Sequence, residues 1–419
     1  MKIAIVGGGI SGLVCAYLLH EEHEIVLFEA NDYVGGHTNT IDVERASGSV
    51  DAVDTGFIVF NDWTYPNFIR LLDRLGVESQ DSSMSFSVRC EKTGLEYNGT
   101  SLDALFTQRR NLLRPRFLRM IRDILRFNKE SVESLDSGGL DDGISLMDYV
   151  RRNRYSDAFI EYYLIPIGSS IWSSDPRNFG VIPARFFVAF LRNHGMLTVD
   201  ARPTWRVVKG GSRQYVRRLL DFFGDRVRTS CPVMEVRRSD KSVTVTTDQH
   251  GAEEYDHLIF ASHSNQSLRM LADATAAEKT ILSAIPYQAN DTVLHTDSSI
   301  LPRRKKAWAS WNYHRLSQDR NQVALTYNMN ILQSLSTDRT YCVTLNHREA
   351  VDRSAILKEF VYHHPVYTSD STRAQDRWEE ISGVDRTHYC GAYWGNGFHE
   401  DGVNSALRVC DFFGKSLVQ

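Results

Sequence analysis

The feature that most constrains this chain is a strand that runs directly into a glycine-rich turn. Residues 2–6 form a β-branched apolar run, and residues 7–12 read Gly-Gly-Gly-Ile-Ser-Gly, which fits the pattern G-x-G-x-x-G. An apolar helical pattern follows, and a second strand over residues 24–28 ends at Glu29. This order predicts a βαβ unit that binds a dinucleotide. The simpler alternative is a structural glycine turn in an ordinary βαβ unit.

Each position of the turn has a physical role in this prediction. Gly7 permits the tight turn, Gly9 lets the backbone approach a pyrophosphate, and Gly12 lets the helix pack on the strand. The free N–H groups at the start of the helix, around Ile10-Ser11, attract the diphosphate. Glu29 lies where an acid accepts hydrogen bonds from the adenosine ribose hydroxyls.

Length, charge and cysteine content limit the remaining possibilities. At 419 residues the chain is too long for one simple core, so two domains are expected. The net charge of −4 gives no global reason to expect nucleic acid. The six cysteines are scattered without a C-x-x-C pair, which predicts no metal site and suits a reducing compartment. With the first strand at residue 2 and no apolar run of about 18 residues, we expect a cytoplasmic protein, soluble or peripheral at the inner membrane face.

A second glycine pair, Gly35-Gly36, continues the dinucleotide cradle. The segment from Ala30 to Thr38 resembles the FAD-binding start of the flavin amine oxidase superfamily, which includes phytoene desaturases and protoporphyrinogen oxidases. In that superfamily an arginine near the diphosphate usually follows the glycine pair. His37 stands here instead, and it gives the diphosphate a weaker, titratable partner.

The resemblance recurs in four later segments. In the superfamily the first of these segments runs beside the flavin ring, and the second leads into a helix that returns to the FAD domain. The third contacts adenine through a valine backbone, and the fourth points a helix N-terminus at the flavin pyrimidine edge. A positive helix end there stabilises the charge of reduced flavin. Many members carry an acid where this chain has Ala392. The segments are Asp54–Phe57, Trp205–Ser212, Pro232–Val236 and Cys390–Val403.

The resemblance implies FAD as cofactor and an α/β fold, with a Rossmann-type FAD-binding domain of the GR2 kind and a discontinuous α+β substrate domain. The implied cofactor-binding residues are Gly7, Gly9, Ile10, Ser11, Gly12, Glu29, Ala30, Gly35, Gly36, His37, Thr38, Gly56, Phe57, Val233, Asp401, Gly402 and Val403.

The FAD motifs divide the chain into two predicted domains. We assign residues 1–58, 205–262 and 385–419 to the FAD-binding domain, and residues 59–204 and 263–384 to the substrate-binding domain. Other patterns predict a helix over 63–78, a turn-rich surface loop over 135–143 and a β-rich floor between the helices. The strand-like runs of that floor are 243–247, 256–261, 292–296, 322–327 and 341–345.

A narrower resemblance points to a lipid substrate. Four segments look like a bacterial amine-oxidase-like flavoprotein family whose members are often encoded beside cyclopropane fatty acid synthases, and a similar flavin domain is fused to such synthases in plants. The association implies an acyl substrate and, as a possible partner, a lipid methyltransferase. The segments are Met84–Ser87, Gly168–Trp172, Asn193–Gly195 and Gly391–Gly402.

The predicted catalytic residues are His399, Glu400 and Trp394. The first two could form an acid–base pair because histidine titrates near working pH. The alternative is that they only hold their loop against the cofactor, and that Trp394 is core packing. Two further positions allow two interpretations each: Cys390 is a flavin tether or plain packing, and Lys305-Lys306 supplies a lysine near flavin N5 or forms a solvated loop.

Residues 108–129 combine eight basic residues with the single acid Asp123 and interleaved leucine, isoleucine and phenylalanine. From Pro115 onward this pattern predicts a basic amphipathic helix. Such a helix either lies on an anionic membrane surface or packs its apolar face in the core with its arginines solvated. Nucleic acid is disfavoured because the rest of the chain is not basic.

The expected function is therefore an FAD-dependent oxidoreductase that takes hydride from a hydrophobic substrate, an acyl chain at an allylic or methyl-branched unsaturated position, with desaturation or isomerisation as the result. Two alternatives stay open. One is a flavin amine oxidase of a small amine, which His37 and Ala392 disfavour. The other is an FAD-holding partner subunit of a lipid-modifying methyltransferase.

Overall fold

A five-stranded parallel sheet forms the centre of the computed structural model, which describes residues 1–140, 143–198, 202–318 and 320–417. Every pair of neighbouring strands in this sheet is parallel, so the carboxyl ends of all five strands meet at one edge. The strands, in order across the sheet, are Val227–Arg228, Glu24–Phe28, Lys2–Val6, His257–Phe260 and Thr387–Tyr389.

Both faces of the parallel sheet are covered. Alternate side chains of its central strand enter different apolar clusters: Ile3 and Ile5 pack with four helices, and Ala4 and Val6 pack with a three-stranded antiparallel sheet. This explains why the strand is a continuous apolar run rather than an alternating one. The four helices are Ile10–Leu19, Pro66–Leu75, Arg213–Phe223 and His399–Phe412, and the antiparallel strands are Val233–Arg238, Val243–Thr247 and Gly251–Tyr255.

A second, mixed sheet of seven strands lies beyond the carboxyl edge. Its neighbouring strands are antiparallel except for one parallel pair, Phe86–Cys90 with Trp311–Arg315. In order across the sheet the strands are Ile356–Pro365, Tyr287–His295, Cys342–Leu345, Leu325–Asn328, Trp311–Arg315, Phe86–Cys90 and Leu95–Asn98.

Helices between residues 102 and 193 pack beside this second sheet. The helices are Leu102–Leu105, Pro115–Asp136, Leu146–Arg152, Asp157–Phe159, Ile165–Trp172 and Ala184–Asn193, with a π-helical segment at Ile160–Leu164. Elsewhere the helices are Ser264–Met270, Ala276–Ser283, Met329–Leu332 and Ser369–Gln375. Two small sheets complete the fold, one of Thr40–Glu44 with Val50–Asp54 and one of Phe60–Asn61, Trp205–Val208 and Ser79–Asp81.

The predicted α/β fold class is confirmed, and so are the helices expected over 63–78 and from Pro115 onward. The first of them ends at Gly76, where the backbone turns left-handed. The helix from Pro115 runs to Asp136, so the loop predicted over 135–143 starts two residues later than expected, and residues 141–142 of that loop lie outside the described residues.

The prediction of one β-rich floor is wrong in two of its strands. Val243–Thr247 belongs to the small antiparallel sheet and His257–Phe260 to the parallel sheet, whereas the other three runs do share the seven-stranded sheet. All five strands of the parallel sheet come from residues 1–58, 205–262 and 385–419. Helix Pro66–Leu75 lies outside those ranges, yet it packs into the same apolar cluster.

No helix within the described residues is both long enough and apolar enough to cross a membrane.

Candidate active site

The loops that follow the parallel strands converge at their carboxyl edge, where ligands bind in open α/β sheets. Gly7–Gly12 follows the first strand and Glu29–Thr38 the second. Ala261–His263 and Cys390–Phe398 follow the two strands on the other side. These four segments contain most of the residues that the sequence predicted to bind FAD.

The glycine turn is held by very close backbone contacts. A Cβ atom built on Gly12 would lie 2.0 Å from the Gly7 carbonyl oxygen, so the helix sits on the turn only because this side chain is absent. Gly35 N–H donates to the Gly8 carbonyl at 2.8 Å, which places the second glycine pair against the first. A Cβ atom built on Gly9, in contrast, would meet nothing within 4 Å. Space for a phosphate group is therefore kept beside the second glycine of the motif.

Glu29 is buried at the end of the second strand. Its carboxylate accepts from Gly8 N–H at 2.8 Å and from Asn31 N–H at 2.9 Å. Cys231 N–H donates to the Glu29 carbonyl at 2.9 Å, which brings the segment leading to Val233 alongside. The two positions predicted to hold ribose and adenine thus lie at the same end of the turn.

His37 lies among aromatic side chains from two other elements. Its ring centroid is 5.1 Å from that of Tyr362, 5.2 Å from His364 and 6.3 Å from His263. Burial and, to a lesser extent, nearby His363 lower the pKa of His37 to about 4, so the imidazole is neutral in the protein alone. Its Nε2 atom is buried with no hydrogen-bond partner. A buried polar atom of this kind calls for a ligand atom.

The carboxy-terminal helix begins against the glycine turn. Ser11 Oγ donates to the Gly402 carbonyl at 2.9 Å, and a Cβ atom on Gly402 would lie 2.7 Å from Ile10 Cγ2. Val403 is fully buried in the same cluster. The amino-terminal ends of the first and last helices therefore point at the same edge, as the predicted binding of one dinucleotide requires.

His399, at the first position of that helix, is buried in a hydrogen-bonded group. Its Nε2 lies 3.0 Å from both Thr38 Oγ1 and Tyr215 OH, and these two hydroxyls also contact each other. Its ring stacks on Phe57 at 3.4 Å between centroids. Burial holds the pKa of His399 well below its usual range. The surroundings are those of a neutral imidazole that joins three segments of chain.

Glu400 and Asp401 are occupied by backbone N–H groups. Glu400 accepts from Asn67 N–H at 3.0 Å and Phe68 N–H at 2.8 Å, and so caps helix Pro66–Leu75. Asp401 accepts from Phe398 N–H at 2.9 Å, and burial raises its pKa to about 6. Both carboxylates fix the start of the carboxy-terminal helix, and the predicted catalytic role of Glu400 stays a prediction.

Asp54 and Tyr215 were not singled out as site residues from the sequence. Asp54 is fully buried and accepts from Thr40 Oγ1 at 2.6 Å, Ser212 N–H at 2.9 Å and Ser212 Oγ at 2.8 Å, while burial raises its pKa to about 6. It caps the helix that presents Tyr215 to Thr38. An aspartate in front of the Thr-Gly-Phe segment was the only signal that could have found it.

Aromatic side chains form the other side of the site. Phe398 stacks on Phe190 at 5.2 Å, and Trp172 lies 4.7 Å from Phe190. Trp172 Nε1 donates to the Asn396 carbonyl at 3.0 Å and ties this group to the carboxy-terminal turn. Trp394 in that turn carries a buried indole N–H with no partner. Tyr367 and Tyr393 have buried hydroxyls without partners as well.

The surroundings of Cys390 and of Lys305-Lys306 favour the simpler interpretation in each case. Cys390 is fully buried, with its Sγ 3.9 Å from Cys15 Sγ, as expected of core packing. Lys305 and Lys306 are exposed, and Lys306 pairs with Asp103 at 2.8 Å. They lie in a solvated surface loop, so neither supplies a lysine to the flavin. No group of three or more His, Cys, Asp or Glu within the described residues is placed to hold a metal ion.

The residues at the carboxyl edge fit FAD. The open space at Gly9 suits a pyrophosphate, and the unpartnered Nε2 of His37 and indole N–H of Trp394 supply polar atoms on the path from phosphate loop to carboxy-terminal helix. Fold and site together define a dinucleotide-binding protein of the Rossmann class.

Comparison with known proteins gives the family. Residues 10–296 match the model of the flavin containing amine oxidoreductase family, and the chain belongs to that family. The predicted superfamily and the predicted cofactor, FAD, are thereby confirmed, and the family is one of flavin-containing oxidoreductases, as predicted.

Individual relatives are more distant. The chain is 26% identical over 275 residues to flavin-containing amine oxidase A of Sus scrofa, covering 62% of this chain and 49% of the relative. It is 27% identical over 291 residues to carotenoid phi-ring synthase of Streptomyces griseus, covering 64% and 54%. The chain thus matches about half the length of these curated relatives. The structure of a fatty acid isomerase from P. acnes that produces CLA superposes with a TM-score of 0.70 at 16% identity over 98% of both chains, and so shares the fold.

Proposed function

We propose that this protein is an FAD-dependent oxidoreductase acting on a hydrophobic substrate, an unsaturated or methylated acyl chain of a fatty acid or phospholipid. The observation that carries the proposal is the composition of the substrate side of the site. Aromatic side chains from the carboxy-terminal turn and from helices Ile165–Trp172 and Ala184–Asn193 meet there, and the neighbouring carboxylates are already used by backbone N–H groups.

The electrostatics favour an uncharged substrate segment. His194 stacks on Phe190 at 3.9 Å and donates from Nδ1 to the Phe190 carbonyl at 2.9 Å, and burial lowers its pKa to about 4. His364 is likewise neutral, since burial lowers its pKa to about 3. Neutral imidazoles and carboxylates already occupied by backbone N–H groups offer little to a charged ammonium group, whereas an acyl chain gains from burial against apolar rings.

FAD, when bound, supplies a hydride acceptor for a C–H bond whose developing cation is delocalised, such as an allylic one. The chain's own residues then have three tasks. The glycine turn and His37 would hold the diphosphate, the positive end of helix His399–Phe412 would stabilise charge on the reduced cofactor, and the aromatic side chains would exclude water. Net desaturation would also release a proton from the adjacent carbon to solvent and pass the two electrons through FAD to O2 or another acceptor, whereas return of the hydride to a different carbon of the same delocalised cation would give isomerisation.

Oxidation of a small amine is the second candidate, because sequence similarity to mammalian amine oxidase A extends over 62% of the chain. The absence of an arginine at His37 and of an acid at Ala392 weighs against it. The similarity to a carotenoid synthase supports an apolar substrate instead.

The test is anaerobic reduction of the FAD-loaded protein by defined compounds, with product analysis after re-aeration. We expect unsaturated fatty acids or phospholipids to bleach the flavin or to be recovered with a shifted or additional double bond, and saturated chains and primary amines to do neither. Phe398→Ala should weaken turnover of the acyl substrate, whereas Phe412→Ala, an exposed position at the far end of the helix that follows Phe398, should not.

Bleaching by amines alone would assign the protein to the amine oxidases. Bleaching that requires an added lipid methyltransferase would make it a partner subunit and refute independent turnover.

A further inference from the structure

The loop of residues 108–113, which precedes helix Pro115–Asp136, buries the side chain of Asn111 and exposes those of Leu112 and Leu113. Asn111 is fully buried, whereas Leu113, two residues later, is 87% exposed. Gln108 holds the loop in place, because its Nε2 donates to the Gly94 carbonyl at 2.7 Å and its Oε1 accepts from Asn111. A loop pinned in this way presents its leucines to the outside as a fixed feature of the fold.

The exposed leucines of the molecule are concentrated in this region. Five of the six leucines that are exposed within the described residues lie between positions 102 and 125, and Leu102 is 75% exposed. Singly exposed apolar residues are ordinary, but a contiguous set marks a surface that contacts another apolar phase. The five are Leu102, Leu112, Leu113, Leu118 and Leu125.

Helix Pro115–Asp136 continues the pattern. Phe117, Met120 and Phe127 are buried on its inner side. On the outer side, Leu118 and Leu125 recur with Arg122 and Lys129 at the spacing i, i+4, i+7, i+11, which forms one stripe along the helix.

Two exposed arginines of this helix are unpaired within the described residues. Arg119 and Arg122 are exposed and form no ion pair with any carboxylate of residues 1–140, 143–198, 202–318 or 320–417. They differ in this from Arg116, which pairs with Glu161 at 3.1 Å. Free arginines beside exposed leucines leave both kinds of side chain available to a ligand.

A distant part of the sequence adds to the same surface. Asp103 contacts both Arg109 and Lys306, the latter at 2.8 Å, so the loop of residues 303–306 lies beside helix Leu102–Leu105. Glu96 fixes this loop by accepting from Arg303 N–H at 2.9 Å and Arg304 N–H at 3.2 Å. All four residues of the loop, Arg303, Arg304, Lys305 and Lys306, are exposed.

We propose that this surface, formed by residues 102–125 and 303–306 and here named the leucine–arginine face, docks the protein on an anionic phospholipid bilayer. The leucines enter the interface and the arginines and lysines contact the lipid phosphates. A second copy of the chain is a poor occupant because like charges would oppose each other across a two-fold axis. Nucleic acid would satisfy the cations and leave the leucines in water. The proposal goes beyond catalysis, and its test needs no turnover.

The test is co-sedimentation of the full FAD-loaded chain with phosphatidylcholine vesicles, with and without phosphatidylglycerol. Binding is expected only to the anionic vesicles and should fall as salt rises. Arg119→Gln with Arg122→Gln should weaken partitioning roughly 30-fold, at about 1 kcal/mol for each cation. Leu102→Ser with Leu113→Ser should weaken it on the order of 100-fold.

Matched controls separate docking from general charge and folding. Arg217→Gln with Arg218→Gln removes two exposed cations from helix Arg213–Phe223, and Val384→Ser removes one exposed apolar residue outside the face. These variants should bind vesicles like the parent protein, and all variants should keep their flavin spectrum and unfolding midpoint.

Equal binding to neutral and anionic vesicles, or unchanged binding by both double variants, would overturn the proposal. A dimer that Arg119→Gln with Arg122→Gln dissociates would assign the face to a second copy. Tighter binding to duplex DNA than to vesicles would assign it to nucleic acid. Each of these results leaves the flavin chemistry unaffected.

Discussion

The two sides of the candidate site are built by different means. At the carboxyl edge of the parallel sheet, backbone atoms and missing side chains do the work: Gly12 lies where no Cβ fits, and Gly9 leaves room for a ligand. On the substrate side, large side chains such as Trp172, Phe190 and Phe398 fill the space. On the first side the residue types are limited by steric exclusion, and on the second side they are limited by packing.

The difference determines how far each side tolerates change. A glycine that is in contact with backbone has no neighbour that can move aside, so its substitution acts on the whole domain. An aromatic ring packed against other rings can be replaced by a slightly smaller one at modest cost. We therefore expect substitutions to have their largest effects in the phosphate loop, Gly7–Gly12, and their smallest effects in the aromatic group formed by Trp172, Phe190 and Phe398.

The largest effect is expected at Gly12. Gly12→Ala places a methyl group 2.0 Å from the Gly7 carbonyl and should lower the free energy of unfolding by about 3 kcal/mol or more. Gly9→Ala, whose Cβ meets nothing within 4 Å, should keep that free energy within about 1 kcal/mol of the parent but lose FAD affinity. Urea titration and FAD titration measure the two quantities. Equal stability of both variants would remove the distinction between packing and ligand glycines.

The next largest effect is expected in the pH dependence of the free energy of unfolding, to which His37 contributes. Its pKa is about 4 in the folded protein and about 6.5 in an unfolded chain. Between these values the unfolded chain binds more protons, so the free energy of unfolding of the FAD-free protein falls as the pH decreases from about 6.5 to about 4. His37→Asn should flatten this slope by up to ~1.4 kcal/mol per pH unit.

Urea titrations across that pH range measure the slope, with His250→Asn at an exposed position as the control. An unchanged slope in His37→Asn would mean that the imidazole is not held neutral by its surroundings.

Glu400 tests whether the two sides share a catalytic residue. If it only caps helix Pro66–Leu75, Glu400→Gln should cost about 1 kcal/mol of stability and change kcat by no more than about threefold. If it transfers protons, kcat should fall on the order of 100-fold. Glu379→Gln, at an exposed site, serves as the control.

The smallest effect is expected in the aromatic group. Trp172→Phe removes the hydrogen bond to the Asn396 carbonyl, which should cost about 1 kcal/mol and raise KM a few-fold with kcat retained. As the control, Trp378→Phe removes an equivalent hydrogen bond, from Nε1 to the Tyr389 carbonyl at 2.7 Å, beside the parallel sheet. It should cost similar stability and leave KM unchanged. If both variants change KM alike, the aromatic group has no special link to substrate.

How much could be predicted from the sequence follows the same division. The glycine turn, Glu29 and the second glycine pair were predictable because each requires a residue type at a fixed distance along the chain. Family resemblance placed both Ser11 and Gly402 at the cofactor, but their contact with each other was not predicted, since no local pattern joins positions so far apart.

The remaining parts depend on tertiary packing. Asp54, Thr40 and Ser212 form one buried network, yet each is an ordinary polar residue in its own segment. The floor prediction was wrong at residues 243–247 because alternation of apolar residues identifies a strand without identifying its sheet. The aromatic group likewise draws on three segments, and no spacing rule connects them.

The order of strands in the parallel sheet has a consequence for biosynthesis. Thr387–Tyr389 pairs with His257–Phe260, and helix His399–Phe412 packs on the helix formed by residues 10–19. The ribosome therefore delivers the phosphate loop first and its closing partners nearly four hundred codons later. The cofactor site is complete only after both ends of the chain have been synthesised. We therefore expect FAD to bind late, and translation products that stop before residue 387 to lack a complete site.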